Sequence, residues 1–341
     1  MKKLTIGIFF GGQSPEHEVS LMSAKNVIAA IDRKRFKVRE FWIDKKGRFW
    51  TGIKILVNVE KKEFKNLKSA DLNTLNRQID VAFPVLHGQG GEDGTIQGMF
   101  RMLNIPFVGA DVLSSSLCLD KGVFNELMQY HGLPKPKFVI IDYQRQATKE
   151  IKKNHTQALR LKYPVFVKPA CTGSSVGITK VKERNDLGSA IKFARKYDVK
   201  VIIEESVENC LEIEVAVSGN SIDNFKIAKP GRIVPSNEFY DYNDKYIDGK
   251  SYPEIPANLP QKTIKEIKRL ALEAYRIANC EGMARVDFLV KKNGKIYLNE
   301  INTIPGFTAI SMYPKMWQAS GLSYKNLITK LIELALQRKK H

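Results

Sequence analysis

Residues 284–302 read ARVDFLVKKNGKIYLNEIN, and this stretch says most about the chain. Two segments rich in β-forming residues flank Asn293-Gly294, a pair that strongly favours a two-residue type I′ turn between antiparallel strands. We therefore predict a β-hairpin in which Lys292 pairs with Lys295.

The predicted register brings charged side chains together on one face of the hairpin. Asp287 faces Glu300, and Arg285 faces Asn302. Two carboxylates directly opposite each other have Cβ atoms about 4.5–5.5 Å apart and repel. A cation between them relieves the repulsion, and an Asp/Glu/Asn set of oxygens suits Mg²⁺ shared with substrate phosphates. The alternative is a solvated polar face on an edge hairpin. The pattern favours the metal site.

Length and composition are those of an ordinary globular protein of several domains. The 341 residues exceed the usual size of one core, and 43% of them are hydrophobic. No apolar run approaches the length of a membrane span. The N-terminus leads into Gly11-Gly12 without a small-residue cleavage site, so we interpret it as a buried strand and expect a cytoplasmic protein. The four cysteines show no metal-binding or redox spacing.

The formal net charge of +19 admits two interpretations. A basic protein gains affinity for nucleic acids by displacing counterions from phosphates. The lysines are nevertheless scattered among acidic residues, and no RNA-binding, zinc-finger or Arg-rich signature accompanies them. A generally basic surface is favoured, and a nucleic-acid-binding protein remains the alternative from a different functional class.

The first part of the chain has the pattern of half a nucleotide-binding fold. Residues 4–10 predict a strand and residues 15–31 an amphipathic helix, with Ser14 as the capping residue and Pro15 at the first helical position. Strands are predicted at residues 36–44 and 81–86. In such β-α-β arrangements, ligands collect at the carboxyl ends of parallel strands.

The rest of the chain predicts two further α+β units. A helix at residues 120–131 is followed by a linker. Strands are predicted at residues 165–168, 176–182, 199–204 and 211–218, and helices near 186–197, 263–279 and 324–338. The polar, aromatic segment from 236 to 255 predicts a loop that closes over a site, with a long exposed loop as the alternative.

Two glycine-rich segments could contact a ligand through their backbones. Residues 87–94 (HGQGGEDG) follow a strand but miss a dinucleotide-binding fingerprint, because Asp93 stands where the third glycine belongs. Residues 169–177 (PACTGSSVG) lie between two strands, and no Walker sequence occurs anywhere in the chain. Such a loop can fold over phosphates, although an ordinary hairpin loop has the same composition.

Three charged residues have both a functional and a plain structural interpretation. Lys121 stands at a helix start, where the helix dipole disfavours a cation unless an anion is bound nearby. Lys168 lies at the end of a strand and is ambiguous. Glu16 in the first helical turn either complements the dipole or binds an ammonium group at the end of the strand.

In combination, these segments resemble the D-alanine–D-alanine ligases of the ATP-grasp superfamily, from about Leu4 to about Leu336. The most specific stretches are residues 11–20, 87–94, 173–177, 285–287 and 299–306. The resemblance implies an α/β and α+β architecture, with an N-terminal Rossmann-like domain (1–117). An ATP-grasp fold of two α+β subdomains would follow, a central one (118–210) and a C-terminal one (211–341) that carries the metal hairpin and an omega-type loop at 236–251.

The same resemblance assigns an ATP site between two antiparallel sheets. It places Lys121 and Lys168 on the phosphates, Glu204 and the backbone of Val207 at the adenine, and Glu212 at the ribose hydroxyls. The other residues that it implies at ATP are Ser174, Ser175, Glu205 and Lys245. Glu205 stands where a lysine is common, and Asn209-Cys210-Leu211 stands where Gly and Arg are common.

The resemblance also implies roles at the metal. Asp287, Glu300 and Asn302 would hold two Mg²⁺ or Mn²⁺, in agreement with the hairpin geometry.

Further roles are implied at the amino-acid substrates. Glu16 would bind the ammonium of the first D-alanine, with Ser174 and Tyr246 linked to it, and His87 would lie beside that substrate. Arg285 and the backbone of Gly306 would stabilise the reacting acyl centre, and Ser311 would hold the carboxylate of the second D-alanine.

The implied function is ATP-dependent joining of two D-alanines through a D-alanyl phosphate, for peptidoglycan precursor synthesis. A ligase that uses D-lactate or D-serine as second substrate is the alternative, although Lys245-Tyr246 resembles the dipeptide-forming type. D-Alanine and ATP are the expected partners, with no nucleic acid and no membrane insertion, and the family precedent is a homodimer.

Overall fold

The computed structural model describes residues 3–64, 67–173, 175–234 and 252–338. Three β-sheets lie in successive parts of this chain. Within the described ranges, no helix has the length and apolar character needed to cross a membrane.

The N-terminal sheet has the order β4-β3-β2-β1-β5, and both neighbours of β1 run parallel to it. Its strands are β1 (Leu4–Gly11), β2 (Phe36–Ile43), β3 (Phe49–Gly52), β4 (Lys68–Ser69) and β5 (Val81–Pro84). The helices of this part are α1 (His17–Ala30), α2 (Ile55–Glu60), α3 (Leu75–Gln78), α4 (Thr95–Met102) and α5 (Val112–Leu119). The predicted β-α-β opening is confirmed.

Helix α1 begins two residues later than the prediction. Its N-cap is Glu16, while the Ser14 hydroxyl accepts a hydrogen bond from the Glu16 amide at 3.1 Å, and Ser14 and Pro15 lie in the preceding turn. The Ser-Pro pair therefore stabilises the approach to the helix instead of starting it. The consequence is that Glu16 stands at the mouth of the helix, close to the end of β1.

The central sheet is antiparallel, with the order β6-β9-β7-β8. Its strands are β6 (Phe138–Asp142), β7 (Val165–Pro169), β8 (Thr179–Val181) and β9 (Lys200–Glu205). The helices of this part are α6 (Lys121–Tyr130), α7 (Thr148–Leu159) and α8 (Leu187–Ala194). Helix α6 is capped by Asp120, whose carboxylate accepts from the amides of Gly122 and Val123 at 3.0 and 3.1 Å.

The third sheet has the order β13-β12-β10-β14-β15, with β11 beside β10. Its strands are β10 (Cys210–Ser218), β11 (Lys226–Ile227), β12 (Gly231–Val234), β13 (Tyr252–Glu254), β14 (Met283–Lys291) and β15 (Ile296–Asn302). The helices of this part are α9 (Gln261–Ile277), α10 (Met312–Ala319) and α11 (Tyr324–Gln337). One side of α9 packs on β10, β14 and β15, which explains its strongly amphipathic sequence.

The turn of the β14–β15 hairpin differs from the prediction. Lys291, rather than Lys292, pairs with Lys295, at 2.9 Å from amide to carbonyl. Gly294 has a φ of +83°, whereas Asn293 is outside the left-handed region. A type I′ turn needs positive φ at both positions, so that assignment is wrong, and residues 292–294 form a three-residue loop.

A second irregularity restores the predicted register at the charged end of the hairpin. Phe288 pairs with Leu298 and Asp287 with Glu300, so Asn299 is an extra residue, a β-bulge. Asp287 therefore faces Glu300, and Arg285 faces Asn302, as predicted. The bulge offsets the longer turn.

Helix α11 joins the two ends of the chain. Its buried residues Leu327, Ile328 and Leu331 belong to the same hydrophobic core as Ile6 and Phe83 of the N-terminal sheet. At the rim of this contact, Arg35 and Glu333 form an ion pair at 2.9 Å. The third unit is thus packed against the first through its C-terminal helix.

Candidate active site

One cavity of about 520 Å³ collects most of the residues that the sequence assigned to a site. Its walls come from the loops after β1 and β5, from the central sheet and from the third sheet. The predicted residues that line it are Glu16, His87, Lys121, Lys168, Ser175, Glu204, Glu205, Val207, Glu212, Arg285, Glu300, Asn302, Gly306 and Ser311. Fourteen positions spread over nearly 300 residues of sequence thus meet in one place.

The remaining predicted positions are placed differently. Asp287 is not among the residues that line the cavity, and both of its oxygens accept hydrogen bonds from Arg285. Ser174, Lys245 and Tyr246, and the loop at 236–251, fall outside the described residues, and their predicted roles stay predictions.

Three carboxylates lie in a row across the third sheet. Glu214 of β10 pairs with Asp287 of β14, which pairs with Glu300 of β15. Arg285 lies on the same face, donates to both oxygens of Asp287 at 2.7 and 2.8 Å, and stands 3.2 Å from Glu214. Burial lowers the pKa of Arg285, but the charges of Asp287 and Glu214 outweigh it, and the pKa is raised well above its ordinary value.

The donor set at this end of the hairpin suits a hard cation. Glu300 and Asn302 present oxygens to the cavity, and the Asn302 amide oxygen is oriented by the Ile304 amide at 3.1 Å. In the described part of the chain, no group of three or more His, Cys, Asp and Glu side chains is arranged to hold a metal ion. The predicted set consists of two carboxylates and one amide, so its composition fits Mg²⁺ or Mn²⁺.

The central sheet supplies a buried ion pair at the opposite wall. Lys168 of β7 binds the carboxylate of Glu204 on β9, and both side chains are largely buried. Burial raises the pKa of Glu204, but the charges of Lys168 and Lys135 outweigh it, so the pKa is lowered. Glu204 is therefore charged at neutral pH, and its ion pair with Lys168 lies on the cavity wall, where polar ligand groups can reach it.

Lys121 and Ser175, two further candidates for the ATP site, lie where α6 meets the Gly/Ser loop. Lys121 donates from Nζ to the Thr172 carbonyl at 2.5 Å, and its amide donates to Ala170 at 3.1 Å. Ser175 adopts a φ of +61°, in the left-handed region that non-glycine residues rarely occupy. Lys121 and the loop thus form a single unit along the cavity wall.

Glu205, which replaces a common lysine, makes a structural contact. Its carboxylate accepts from the Lys162 amide at 2.9 Å, while its own amide donates to the Lys137 carbonyl at 2.9 Å. The side chain lies at the edge of the cavity and already has a backbone partner.

The carboxylate of Glu16 lies between two glycines from different units. A Cβ placed on Gly88 would be 2.6 Å from a Glu16 oxygen, and one on Gly173 would be 3.1 Å from it. Only glycine permits the approach at position 88, where φ is +72° as well. The close packing holds this carboxylate at the junction of the N-terminal and central units.

His87 connects the N-terminal unit with the third one. Its Nδ1 lies 3.1 Å from the Ile304 carbonyl, and its Nε2 lies 2.9 Å from the Ser23 hydroxyl. Burial lowers the pKa of His87, but Glu92 at 3.9 Å and Glu16 outweigh it, and the pKa is raised. Both ring nitrogens have protein partners, so His87 orients the loop at Ile304 as well as lining the cavity.

Ser311 closes the site on the side of α10. Its hydroxyl accepts from the Thr308 amide at 3.0 Å and lies 2.8 Å from the Thr308 hydroxyl. The backbone of Gly306 lies directly against this hydroxyl. The hydroxyls of Ser311 and Thr308 thus lie together before α10, and Ser311 lines the same cavity as Arg285.

Comparison with known proteins agrees with this geometry. A family model described as the D-ala D-ala ligase N-terminus matches residues 5–110, and one described as the D-ala D-ala ligase C-terminus matches residues 127–333. The chain belongs to the D-alanine–D-alanine ligase family. It is 47% identical to a D-alanine–D-alanine ligase of a Thermoanaerobacter species, over 99% of this chain and 98% of the relative.

Solved structures of this ligase family have the same fold. A D-Ala:D-Ser ligase from Enterococcus faecalis superposes with a TM-score of 0.86 at 37% identity, covering 98% of this chain and all of the other. The D-alanine–D-alanine ligase from Coxiella burnetii gives 0.82 at 34% identity, covering 99% of this chain and 95% of the other. The predicted fold class is confirmed, and the chain is an ATP-dependent ligase of the ATP-grasp type.

Three residues near the ligase site were missed by the sequence analysis. Glu214 follows Glu212 by two positions on β10, and that spacing places both on one face of a strand. Glu92 belongs to the segment at 87–94, whose many glycines indicate ligand contacts through the backbone and not through a carboxylate. Lys135 stands in the linker after α6 and gave no local signal, since its partners are distant in sequence.

Proposed function

We propose that this chain joins two molecules of D-alanine with cleavage of ATP to ADP and phosphate, and so supplies D-alanyl-D-alanine for peptidoglycan precursors. The observation that carries this proposal is the single cavity. It brings the Glu16 carboxylate, two lysines, the oxygen-bearing end of the β14–β15 hairpin and Arg285 into contact with one volume, and these are the groups that such a reaction would need.

The nucleotide would occupy the wall between the central and third sheets. Lys121 and Lys168 are the cations available to the phosphates, and the Gly/Ser loop with Ser174 and Ser175 would cover them. Adenine would meet Glu204 and the backbone of Val207, and the ribose would meet Glu212. Lys245 is proposed at ATP on resemblance alone, and Glu205 is proposed at ATP from its place at the cavity edge.

Asp287, Glu300 and Asn302 would hold the metal ions, Mg²⁺ or Mn²⁺. When bound, such ions offset the charge that develops on phosphoryl oxygens. Arg285 already binds both oxygens of Asp287. Asp287 would therefore serve both Arg285 and a metal ion, while Arg285 itself also lines the cavity.

The first D-alanine would place its ammonium on Glu16 and its carboxylate toward the γ-phosphate. Attack of that carboxylate on the phosphorus forms the acyl phosphate and releases ADP. The amine of the second D-alanine, held by its carboxylate near Ser311, then attacks the acyl carbon, and phosphate leaves as the peptide bond forms. Arg285 and the Gly306 amide stabilise the oxyanion of the tetrahedral intermediate, a contribution of about 3–4 kcal/mol per well-placed donor.

His87, Ser174 and Tyr246 complete the proposed substrate contacts. His87 would act mainly by holding Ile304 and by its position beside Glu16. Ser174 and Tyr246 are proposed as partners of Glu16 on resemblance alone.

The other functions raised by the sequence are less well supported. Relatives named D-alanine–D-alanine ligase reach 44–47% identity over 99% of the chain, against 37% for the D-Ala:D-Ser ligase. D-Lactate or D-serine as second substrate is therefore not favoured. The nucleic-acid alternative has no support in the comparisons.

Further proposals concern the organisation of the protein. We propose the domain division 1–117, 118–210 and 211–341, which is supported by one sheet in each range apart from the first residue of β10. We also propose a homodimer, on family precedent.

One assay tests the proposed function. Phosphate release from ATP is measured with D-alanine, L-alanine, D-lactate plus D-alanine, D-serine plus D-alanine, and no added substrate. We expect turnover that depends on D-alanine, with D-alanyl-D-alanine as the product. Equal use of both alanine enantiomers, or a dominant D-lactate or D-serine product, would refute the assignment. DNA binding that falls steeply with salt and ignores ATP would favour the nucleic-acid alternative.

A further inference from the structure

The linker between α6 and β6 holds the β14–β15 hairpin at its bulge. The Leu298 amide donates to the Pro134 carbonyl at 2.7 Å. One residue further along both segments, Lys135 donates from Nζ to the Asn299 carbonyl at 2.7 Å. Two adjacent residues of the linker thus bind two adjacent residues of β15, one through the backbone and one through a side chain.

The Lys135 side chain is held by this hydrogen bond and by an aromatic ring. Its ammonium lies 4.9 Å from the centre of the Phe124 ring, within the range of a cation–π interaction. The charges of Glu204 and Glu300 also act on it. Burial lowers the pKa of Lys135 to about 7, against the opposing charge of Glu204. The Asn299 carbonyl is its hydrogen-bond acceptor.

The contact matters because of what the bulge does. Asn299 is the extra residue that brings Glu300 opposite Asp287, and a slip of one residue would turn Glu300 to the other face of the ribbon. Asn299 and Glu300 line the cavity, whereas Lys135 lies behind them and is not among the lining residues described.

We propose that Lys135 is a positioning residue that pins the bulge at Asn299 and so presents the Glu300 carboxylate to the metal bound with the nucleotide. The metal half of this inference rests on the proposed function. The structural half, that the side chain fixes the bulge, concerns the ligand-free protein and can fail or succeed independently.

The experiment compares wild type with three variants. Lys135→Met keeps the length and apolar stem but removes the donor, and Lys135→Arg keeps a cationic donor over Phe124. Lys137→Met is the control, since it removes a lysine from the same linker where the side chain is exposed. Amide hydrogen exchange is measured without ligands, and Mn²⁺ binding is measured by titration in the presence of ADP. The Mg²⁺ dependence of D-alanine-stimulated phosphate release is measured as well.

Lys135→Met should raise the exchange rate of the amides at 298–302 by about 5-fold, the factor expected for one lost hydrogen bond. It should weaken Mn²⁺ binding and raise the Mg²⁺ requirement by about 10-fold, as is typical when a group that orients a metal ligand is lost. Binding of ADP without metal should be unchanged. Lys135→Arg should lie between Lys135→Met and wild type, and Lys137→Met should match wild type.

Several outcomes would overturn the inference. Unchanged exchange at 298–302, or faster exchange in β1 to the same extent, would show that the side chain does not act on the bulge. Equal defects in Lys135→Arg and Lys135→Met would show that the donor is not what matters. ADP binding without metal that weakens as much as Mn²⁺ binding would place Lys135 on the nucleotide itself. A wild type without D-alanine-dependent turnover would refute the proposed function, while the exchange data would still decide the structural half.

Discussion

At the scale of single residues, the main feature of the site is that negative charges outnumber positive ones around Arg285. One guanidinium serves Asp287 and Glu214, while Glu300 faces Asp287 from the next strand. Three carboxylates with one arginine carry excess negative charge, and in the proposed site that excess would attract a divalent cation. We therefore expect Glu300 to favour metal binding and to lower the stability of the ligand-free protein.

We expect Glu300→Ala to abolish ATP turnover at ordinary Mg²⁺ concentrations, because a metal-binding oxygen is lost. Its thermal midpoint should remain near or above that of wild type, since repulsion with Asp287 is relieved. Differential scanning calorimetry and phosphate release measure the two effects. Glu183→Gln, an exposed carboxylate outside the cavity, is the control and should change neither. Normal turnover in Glu300→Ala would show that no metal is held there.

The carboxylate of Glu16 should determine which enantiomer reacts. In the proposed site, Glu16 between Gly88 and Gly173 would fix the ammonium of the first substrate, and the γ-phosphate would fix its carboxylate, which leaves one place for the methyl group. In L-alanine the methyl points elsewhere, at a cost of about 1–3 kcal/mol or 10–200-fold. Misalignment of the reacting atoms by about 1 Å can cost a further 100-fold.

Glu16→Gln keeps the shape and removes the charge, so it should raise KM for the first D-alanine far more than KM for ATP. Glu18→Gln is a matched control, because Glu18 lies in the first turn of the same helix with an exposed side chain. Steady-state kinetics with D-alanine varied at saturating ATP checks this. A variant with an unchanged KM for D-alanine would remove Glu16 from the substrate site.

At the scale of elements, the β14–β15 hairpin depends on Gly294. Its φ of +83° is strained for an L-residue, and the neighbouring Asn293 side chain accepts from the Lys295 amide at 3.1 Å. Gly294→Ala should lower the free energy of unfolding by about 1–2 kcal/mol. Because the bulge at Asn299 isolates the active end, KM for ATP should hardly change. Urea denaturation and kinetics measure both.

Asn293→Gly distinguishes the two possible turns. In a type I′ turn, glycine at this position would be neutral or stabilising, since φ would be positive there. In the observed three-residue loop, glycine loses the side-chain hydrogen bond and adds backbone entropy, so the variant should be less stable by about 0.5–1 kcal/mol. A gain in stability would contradict the observed turn.

At the scale of the whole molecule, α11 makes the first and third units interdependent. Leu331 is 1% exposed and lies in the core that also contains Ile6 and Phe83. Leu331→Ala should lower stability by about 2–5 kcal/mol, the usual range for a buried leucine. Leu336→Ala, on the same helix but 43% exposed, should cost much less. Thermal unfolding followed by near-UV circular dichroism measures both.

Local patterns in the sequence determined a good part of this protein. Strand β1, helix α1 and the β14–β15 hairpin follow from a short apolar run, helical spacing and an Asn-Gly pair, because these signals act over a few residues. The pairing of Asp287 with Glu300 was predicted correctly, although the assumed turn was wrong. The loop has three residues instead of the predicted two, and the bulge at Asn299 adds one residue to β15. The two differences cancel in the register, so Asp287 still faces Glu300.

Only the tertiary structure decided which distant groups act as partners. Arg285 on Glu214, Lys168 on Glu204, and Lys135 on the Asn299 carbonyl each join different strands or elements. Such contacts have no periodicity and no fixed spacing, because packing of whole sheets sets them. The sequence could name acids, lysines and glycines suited to a ligase site. The fold decided how deeply these side chains are buried, in which direction their pKa values shift, and which of them already have a protein partner.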